Sequence, residues 1–303
     1  MSAARRRSEH IPLGVAYMLG STVVFALSQA LSKWLVADFS FVEVLDFRAL
    51  GSLAICALLI LPRTGLAVFH TKRLKAHVGR NVTQAVAQSF FMLALAFMPL
   101  AGVVAVNFSS PIFAALFASL YLHEKIGRAR GIALLVGFAG VLLVASPRVD
   151  TVNIGALFAV ANAVMFGSVT AAVRGLSATE TAETLTMYQM VLLSAFFSVA
   201  LPFYGFAAPH PGDAGLLIVN GMLNGIGQYW WTRALSLAPP AAVGPFYYFT
   251  LVWAMILGFL VWGDLPTPAL LAGAAIVAAS GLYLLWHERP RRAAAQAVPP
   301  TIE

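Results

Sequence analysis

The chain contains itself twice. Residues 88–124 slide forward by about 140 positions onto 228–264 without a gap, so that Gln88 meets Gln228, Ala94-Leu95 meets Ala234-Leu235, and Pro99, Ala101 and Val103 meet Pro239, Ala241 and Val243. An offset of 141 serves the earlier part, matching Gly14 with Gly155, Phe25 with Phe166 and Lys33 with Arg174. Each copy holds five apolar stretches of membrane-spanning length. Five is odd, so the second copy must thread the bilayer upside down. The reading is an all-α integral membrane protein of ten transmembrane helices in two inverted five-helix repeats, an architecture that many secondary transporters use.

Composition points to the same solvent. The 303 residues are 60% hydrophobic and only 10% charged, against roughly 25% charged in a soluble domain. The spacing predicts spans at 11–36, 41–61, 78–98, 100–122, 129–146, 153–175, 183–203, 213–237, 240–262 and 268–286. The first repeat is then 1–150, the second 151–287, and 288–303 reads as a disordered cytoplasmic tail. With the N-terminus in the cytoplasm, 16 of the 19 cations fall on that side, and the asymmetry orients all ten helices at once. It also accounts for the net charge of +7 without a nucleic-acid partner. The expected location is the cell inner membrane, with both termini cytoplasmic. The N-terminal apolar stretch is too long for a secretory h-region and reads as a retained span.

Spans 5 and 10 carry small residues (Gly131, Gly137, Gly140; Gly273, Ala274, Gly281) and suit close helix packing. Spans 3 and 8 read the opposite way. Gln84 and Gln88 lie one turn apart, and Asn220, Asn224 and Gln228 form a stripe continued by Trp231. An amide facing lipid without a partner costs several kcal/mol, so these stripes face protein or water. Interhelical hydrogen bonding would explain them. Recurrence of amides at one depth in both halves (Gln84 with Asn224, Gln88 with Gln228) favours a cavity wall instead. Spans 4 and 9 add Asn107 and Ser110 against Tyr247 and Thr250, and spans 1 and 6 add Phe25 and Gln29 against Phe166 and Thr170. Pro111, in the middle of span 4, and Pro245 in span 9 loosen their helices, as a static kink or as a gate.

Ionisable groups are few inside the spans. Lys33 has Asp38, Glu43 and Asp46 as candidate partners, and structural ion pairs are the expected role for this group. Arg48, about 10 Å deep by the helical rise, suits snorkelling as well as binding. No carboxylate sits near the centre of a span, which speaks for facilitated or weakly coupled transport over obligate proton exchange. All six histidines fall at loops or termini, the one cysteine is Cys56, and no phosphate-binding loop is present, so the sequence predicts no metal, no cofactor and no enzyme.

The segment from Leu120 through Glu124 and Gly131 to Val141, its counterpart Phe259–Asp264 with Gly273, Arg48 after Leu45-Asp46-Phe47, and Ala94-Leu95 with Pro99-Leu100-Ala101 together resemble the EamA domain. The chain resembles a ten-helix member of the drug/metabolite transporter superfamily, and the YddG-type amino-acid exporters are its nearest functional comparison. The resemblance implies an inner-membrane carrier, often an exporter of amino acids or related metabolites. The superfamily's four-helix multidrug exporters use a glutamate in the first helix, and none stands in span 1.

The sequence therefore predicts alternating access through a central cavity between spans 1, 3, 4, 6, 8 and 9. Amides (Gln29, Gln84, Gln88, Asn107, Asn224, Gln228), aromatics (Phe25, Phe166, Trp231, Tyr247) and hydroxyls (Ser110, Thr170, Thr250) line it, with Pro111 and Pro245 as gating residues. Amides offer donors and an acceptor to both ends of a zwitterion, so the first expectation is outward transport of amino acids or similar small metabolites. Uptake of a vitamin- or nucleoside-like metabolite is the alternative, and a membrane enzyme or assembly subunit a remote one. The partners are this cargo and the lipid bilayer; the oligomeric state stays open.

Overall fold

The computed structural model describes residues 10–122, 128–145, 154–206, 209–238 and 240–297. Twelve helices and no strand occur among them: α1 (Ile11–Leu35), α2 (Phe41–Thr64), a 3-10 turn (Gly65–Phe69), α3 (Leu74–Phe97), α4 (Leu100–Asn107), α5 (Ser110–Leu122), α6 (Arg128–Ala145), α7 (Ile154–Leu176), α8 (Ala182–Tyr204), α9 (Pro211–Leu237), α10 (Pro240–Tyr247), α11 (Phe249–Trp262) and α12 (Pro268–Ala297). They make ten spans, because spans 4 and 9 are each two helices where one was expected. The last helix also runs to Ala297, ten residues into the stretch expected to be disordered.

Local chemistry repeats with the sequence. The second helix of each copy opens on a hydroxyl cap, with Ser40 accepting from the Glu43 N–H at 3.2 Å and Thr181 from the Thr184 N–H at 3.1 Å. Each then stops at equivalent glycines, Gly65 and Gly205, whose φ of 60° and 81° suits a residue without Cβ. The two helix breaks are equivalent too. The Ser109 N–H turns back to the Val106 carbonyl (2.9 Å) and the Tyr248 N–H to the Pro245 carbonyl (3.3 Å), a tighter pitch than the α-helix. The cause differs between copies, because Pro111 follows its break and Pro245 precedes it. Either proline removes one ladder donor, so one span can break at one depth from either side.

Inversion follows from the packing. α1 and α3 end together, since Lys33 near the end of α1 reaches the carbonyls of Leu95 and Met98 at the end of α3. α3 and α7 run antiparallel, Phe97 and Phe90 both meeting Phe158 while Arg73 meets Gly175. The first helix of the second copy therefore opposes the first helix of the first. The tightest helix pairs join one copy to the other: α1 with α9, α3 with α7, α2 with α9, and α6 with α12. Neither half packs as a separate body. Among the described residues, five segments are individually long and apolar enough to cross a membrane: Ile11–Leu35, Phe41–Phe69, Ile154–Val173, Ala182–Tyr204 and Val243–Trp262. The polar stripes of α3 and α9 put them in the interior rather than against lipid. Large apolar side chains such as Leu58, Leu135, Val199 and Leu260 stand exposed around the outside, as a lipid-facing surface requires.

The two copies are not in the same state. α2 and α9 meet backbone to backbone, where a Cβ on Gly51 would lie 2.7 Å from the Gly221 Cα. The equivalent pair is α8 with α3, and the equivalent residues are Leu192 and Asn81. These two line an apolar groove of about 520 Å³ instead. One helix pair is zipped and its counterpart is splayed.

Candidate functional site

The breaks in spans 4 and 9 meet at the centre. Phe108 and Tyr248 are repeat equivalents, and their rings stack on each other at 4.7 Å with 29° between planes. Two equivalent residues can touch only beside the pseudo-two-fold axis, so the axis passes between these rings. Tyr247 packs edge-on to Phe108 at 5.6 Å. The Tyr248 hydroxyl is buried and has no hydrogen-bond partner. Asn107 accepts from Asn162 of α7 at 2.9 Å, while the hydroxyl of Thr250 turns back to the Tyr247 carbonyl at 2.8 Å. Ser110 and Thr250 are both buried. Phe108, Tyr248 and Asn162 did not figure among the sequence candidates. The repeat alignment could have revealed the first two, since an aromatic occupies the same break in each copy.

The α9 stripe divides in two. Asn220 accepts from Ser28 (2.7 Å) and Ser32 (3.3 Å) and donates to Ser32 (3.0 Å), and Asn224 donates to Ser52 at 2.8 Å. Ser52 in turn reaches the Gly221 carbonyl at 3.1 Å. Asn220 and Asn224 thus bind α1 and α2 to α9, the interhelical role that competes with cavity lining. Further along, Gln228 is half-buried with no hydrogen bond. Trp231 and Tyr247 pack around one small cluster with Met18 and Val243. Phe25 lies against Gly227, leaving a Cβ there only 2.9 Å of room. Gln29 buries its side-chain carbonyl without a donor.

The α3 stripe is longer than expected. His77, Arg80, Asn81, Gln84 and Gln88 share one face. Gln84, 3% exposed, and the half-buried Gln88 make no hydrogen bond among the described residues. Lower on α3, Arg80 donates to Gln189 at 2.5 Å and towards the Leu185 carbonyl at 3.5 Å. His77 stacks on Tyr188 at 4.4 Å and stands 3.9 Å from Glu180, which accepts from Thr71 at 2.6 Å. His77, expected at a loop, lies instead in the first turns of α3 and is fully buried, just before the apolar run that begins at Val78. Burial pushes its imidazole below the ordinary histidine range, Glu180 pulls the other way, and Arg80 and Arg73 add to the lowering. These contacts latch the first turns of α3 to the start of α8 and to the α7–α8 connection.

Thr170 stands apart: it is exposed and its hydroxyl folds onto the Phe166 carbonyl at 2.9 Å. Phe166 and Pro245 are half-buried and Pro111 is exposed. The ion-pair expectation for Lys33 is not met. Its ammonium binds the Met98 and Leu95 carbonyls at 2.8 and 3.0 Å and sits 5.4 Å from the Trp262 ring. Three donors suit the unsatisfied carbonyls at a helix end better than one carboxylate does. Asp46 is likewise taken, accepting from Ser198 at 2.6 Å. Glu124, the Arg174 side chain and the N-terminal arginines lie outside the described residues. The described residues contain no cluster of metal-ligating side chains.

The profile of the EamA-like transporter family matches residues 12–146 and again 153–286. The chain belongs to the EamA-like transporter family. The same profile thus occurs twice along the chain. A riboflavin transporter of Rhizobium johnstonii is 29% identical over 92% of this chain and 93% of its own. An S-adenosylmethionine uptake transporter of Rickettsia conorii is 24% identical over 91% of this chain and 93% of its own. A pseudopaline exporter of Pseudomonas aeruginosa is 27% identical over 89% of this chain and 95% of its own. A solved structure with a TM-score of 0.64, at 19% identity and covering 91% of this chain and 98% of its own, shares the fold. This EamA protein is a multi-pass membrane transporter of small molecules and not an enzyme.

Proposed function

We propose that this EamA protein carries a heteroaromatic metabolite of vitamin or nucleoside size into the cell by alternating access, with both termini cytoplasmic. The observation that carries this reading is the aromatic stack at the pseudo-two-fold axis. Phe108, Tyr247 and Tyr248 stand where both transport helices break, and the half-buried amides Gln88 and Gln228 flank the same interior. Aromatic faces at an axis contact a flat cargo equally well from either side, and free amides take up its ring donors and acceptors. Relatives named for riboflavin and S-adenosylmethionine support the size and ring character of such a cargo. The zipped α2–α9 pair and the splayed α3–α8 pair support the cycle, because exchanging their roles turns one access state into the other. The broken spans supply the ends that move, with Pro111 and Pro245 as hinges.

The relative named as a pseudopaline exporter supports a second reading, outward movement of an amino-acid-derived zwitterion. Flux of labelled riboflavin, nucleosides and amino acids through purified protein in liposomes separates the two. Saturable riboflavin or nucleoside entry, absent with Phe108→Ala, supports the first. Flux confined to the amino acids removes it.

A further inference from the structure

Among the described residues two arginines, Arg48 and Arg80, are buried on the inner faces of this bundle, and Arg80 bonds protein acceptors although its Nε is left without one. Arg80 gives its guanidinium to Gln189 and Leu185. Arg48 is 9% exposed, and no hydrogen bond or carboxylate partner reaches its guanidinium among the described residues. Its five donors thus have no protein acceptor among those residues, and the guanidinium nitrogens are not sealed off from an incoming group. A lone buried cation in a membrane span is costly and calls for a compensating partner. The neighbouring carboxylate Asp46 projects from the opposite face of α2 and is bonded to Ser198.

The register of the helices puts Arg48 at the level of the polar interior. Ser28 meets Asn220, and Ser52 meets Gly221 and Asn224, so α1, α2 and α9 share one depth there. Arg48 is one turn from Ser52, whose hydroxyl binds the Arg48 carbonyl at 2.7 Å. Gln29 is one residue from Ser28, and its buried carbonyl lacks a donor. The Arg48 guanidinium and an orphaned amide oxygen thus lie within about a turn of each other in depth.

We propose that Arg48 is the anion-recognition residue of the cargo site, so that a cargo bearing a carboxylate or phosphate is held there in preference to its neutral analogue. The planar fork suits either group bidentately. Gln29, an acceptor, takes an N–H or O–H of the same molecule. The inference deepens the functional reading above by assigning a charge preference to one end of the cargo site.

The test is equilibrium binding to the purified full chain in neutral detergent, where no anionic lipid competes. Two matched pairs are used: flavin mononucleotide against riboflavin, and N-acetylmethionine against its methyl ester. Wild type binds the anionic member of at least one pair about ten- to a hundredfold more tightly, the range of a charge-assisted hydrogen bond. Arg48→Gln brings that ratio to about one and leaves the neutral member unchanged. Arg48→Lys keeps the charge, loses the fork and lowers the ratio by about threefold or more. If Arg48→Gln does not fold, the lysine variant decides. A ratio that neither variant moves overturns the proposal, and so does an equal loss of anionic and neutral members. An effect confined to the methionine pair keeps Arg48 in its role while removing the heteroaromatic cargo.

Discussion

Gly221→Ala addresses the zipped helix pair. A Cβ at Gly221 would lie 2.7 Å from the Phe47 carbonyl and 2.8 Å from the Gly51 Cα, 0.7 and 0.6 Å inside the 3.4 Å at which ordinary contact begins. Both obstacles are backbone, so no side-chain rotation relieves them and α2 must part from α9. Overpacking of this kind costs about 1–3 kcal/mol. If the zipped pair belongs to only one of two access states, that cost falls on that state alone. The equilibrium then moves by about 5- to 150-fold towards the state with α2 and α9 apart. The chain's single cysteine is the reporter. Cys56 is fully buried, with its sulfur 3.7 Å from the Gly225 carbonyl across the seam. Maleimide labelling of Cys56 should accelerate by that factor in Gly221→Ala. It should stay at the wild-type rate in Gly79→Ala, where an added Cβ meets nothing within 4 Å. A folded Gly221→Ala protein with unchanged labelling and unchanged transport would refute the exchange of packing between the two helix pairs.

Other variants test separate parts. Gln88→Ala and Gln228→Ala should each cut flux at least several-fold while leaving thermal unfolding in detergent unchanged, since neither amide has a partner to lose. Asn224→Ala should do the reverse, lowering stability by roughly 0.6–2 kcal/mol through the lost Ser52 bond, with a smaller effect on flux. Lys33→Met should destabilise the joined ends of α1 and α3 by about 1 kcal/mol, read as a lower unfolding temperature. Burial holds the His77 imidazole below its ordinary range in the folded protein, so its contribution to stability is present above the ordinary histidine pKa of about 6.5 and lost as pH falls through the lowered value. Thermal unfolding should soften on acidification in wild type, and His77→Gln should flatten that dependence.

Much of this architecture was legible in the sequence because a membrane leaves few choices. Apolar length fixed most of the spans, and an odd repeat fixed the inversion. The breaks in spans 4 and 9 were harder to read, because Pro111 and Pro245 do not align and each alone passes for a kink. Only the matching of Phe108 with Tyr248 marks one break in both copies. Within the site, the pattern identified interior faces but not how each amide is used. Asn224 and Gln228 are one turn apart on one face, yet the first bonds Ser52 and the second makes no hydrogen bond among the described residues. That difference depends on which neighbouring helix carries a serine, which periodicity does not encode. Lys33 had acidic residues close by in sequence, while its partners are backbone carbonyls more than 60 residues away. Arg48 could serve as an anchor or a ligand until its burial and lack of partners were seen.

Everything rests on two copies of one unit crossing the bilayer in opposite senses, and Ala37 with Ala178 tests it most directly. They are exposed, equivalent alanines just beyond the first helix of each copy. With Cys56 replaced by alanine, a cysteine at position 37 should react with an impermeant maleimide on intact cells, and a cysteine at 178 only after permeabilisation. Labelling of both from the same side would contradict the account.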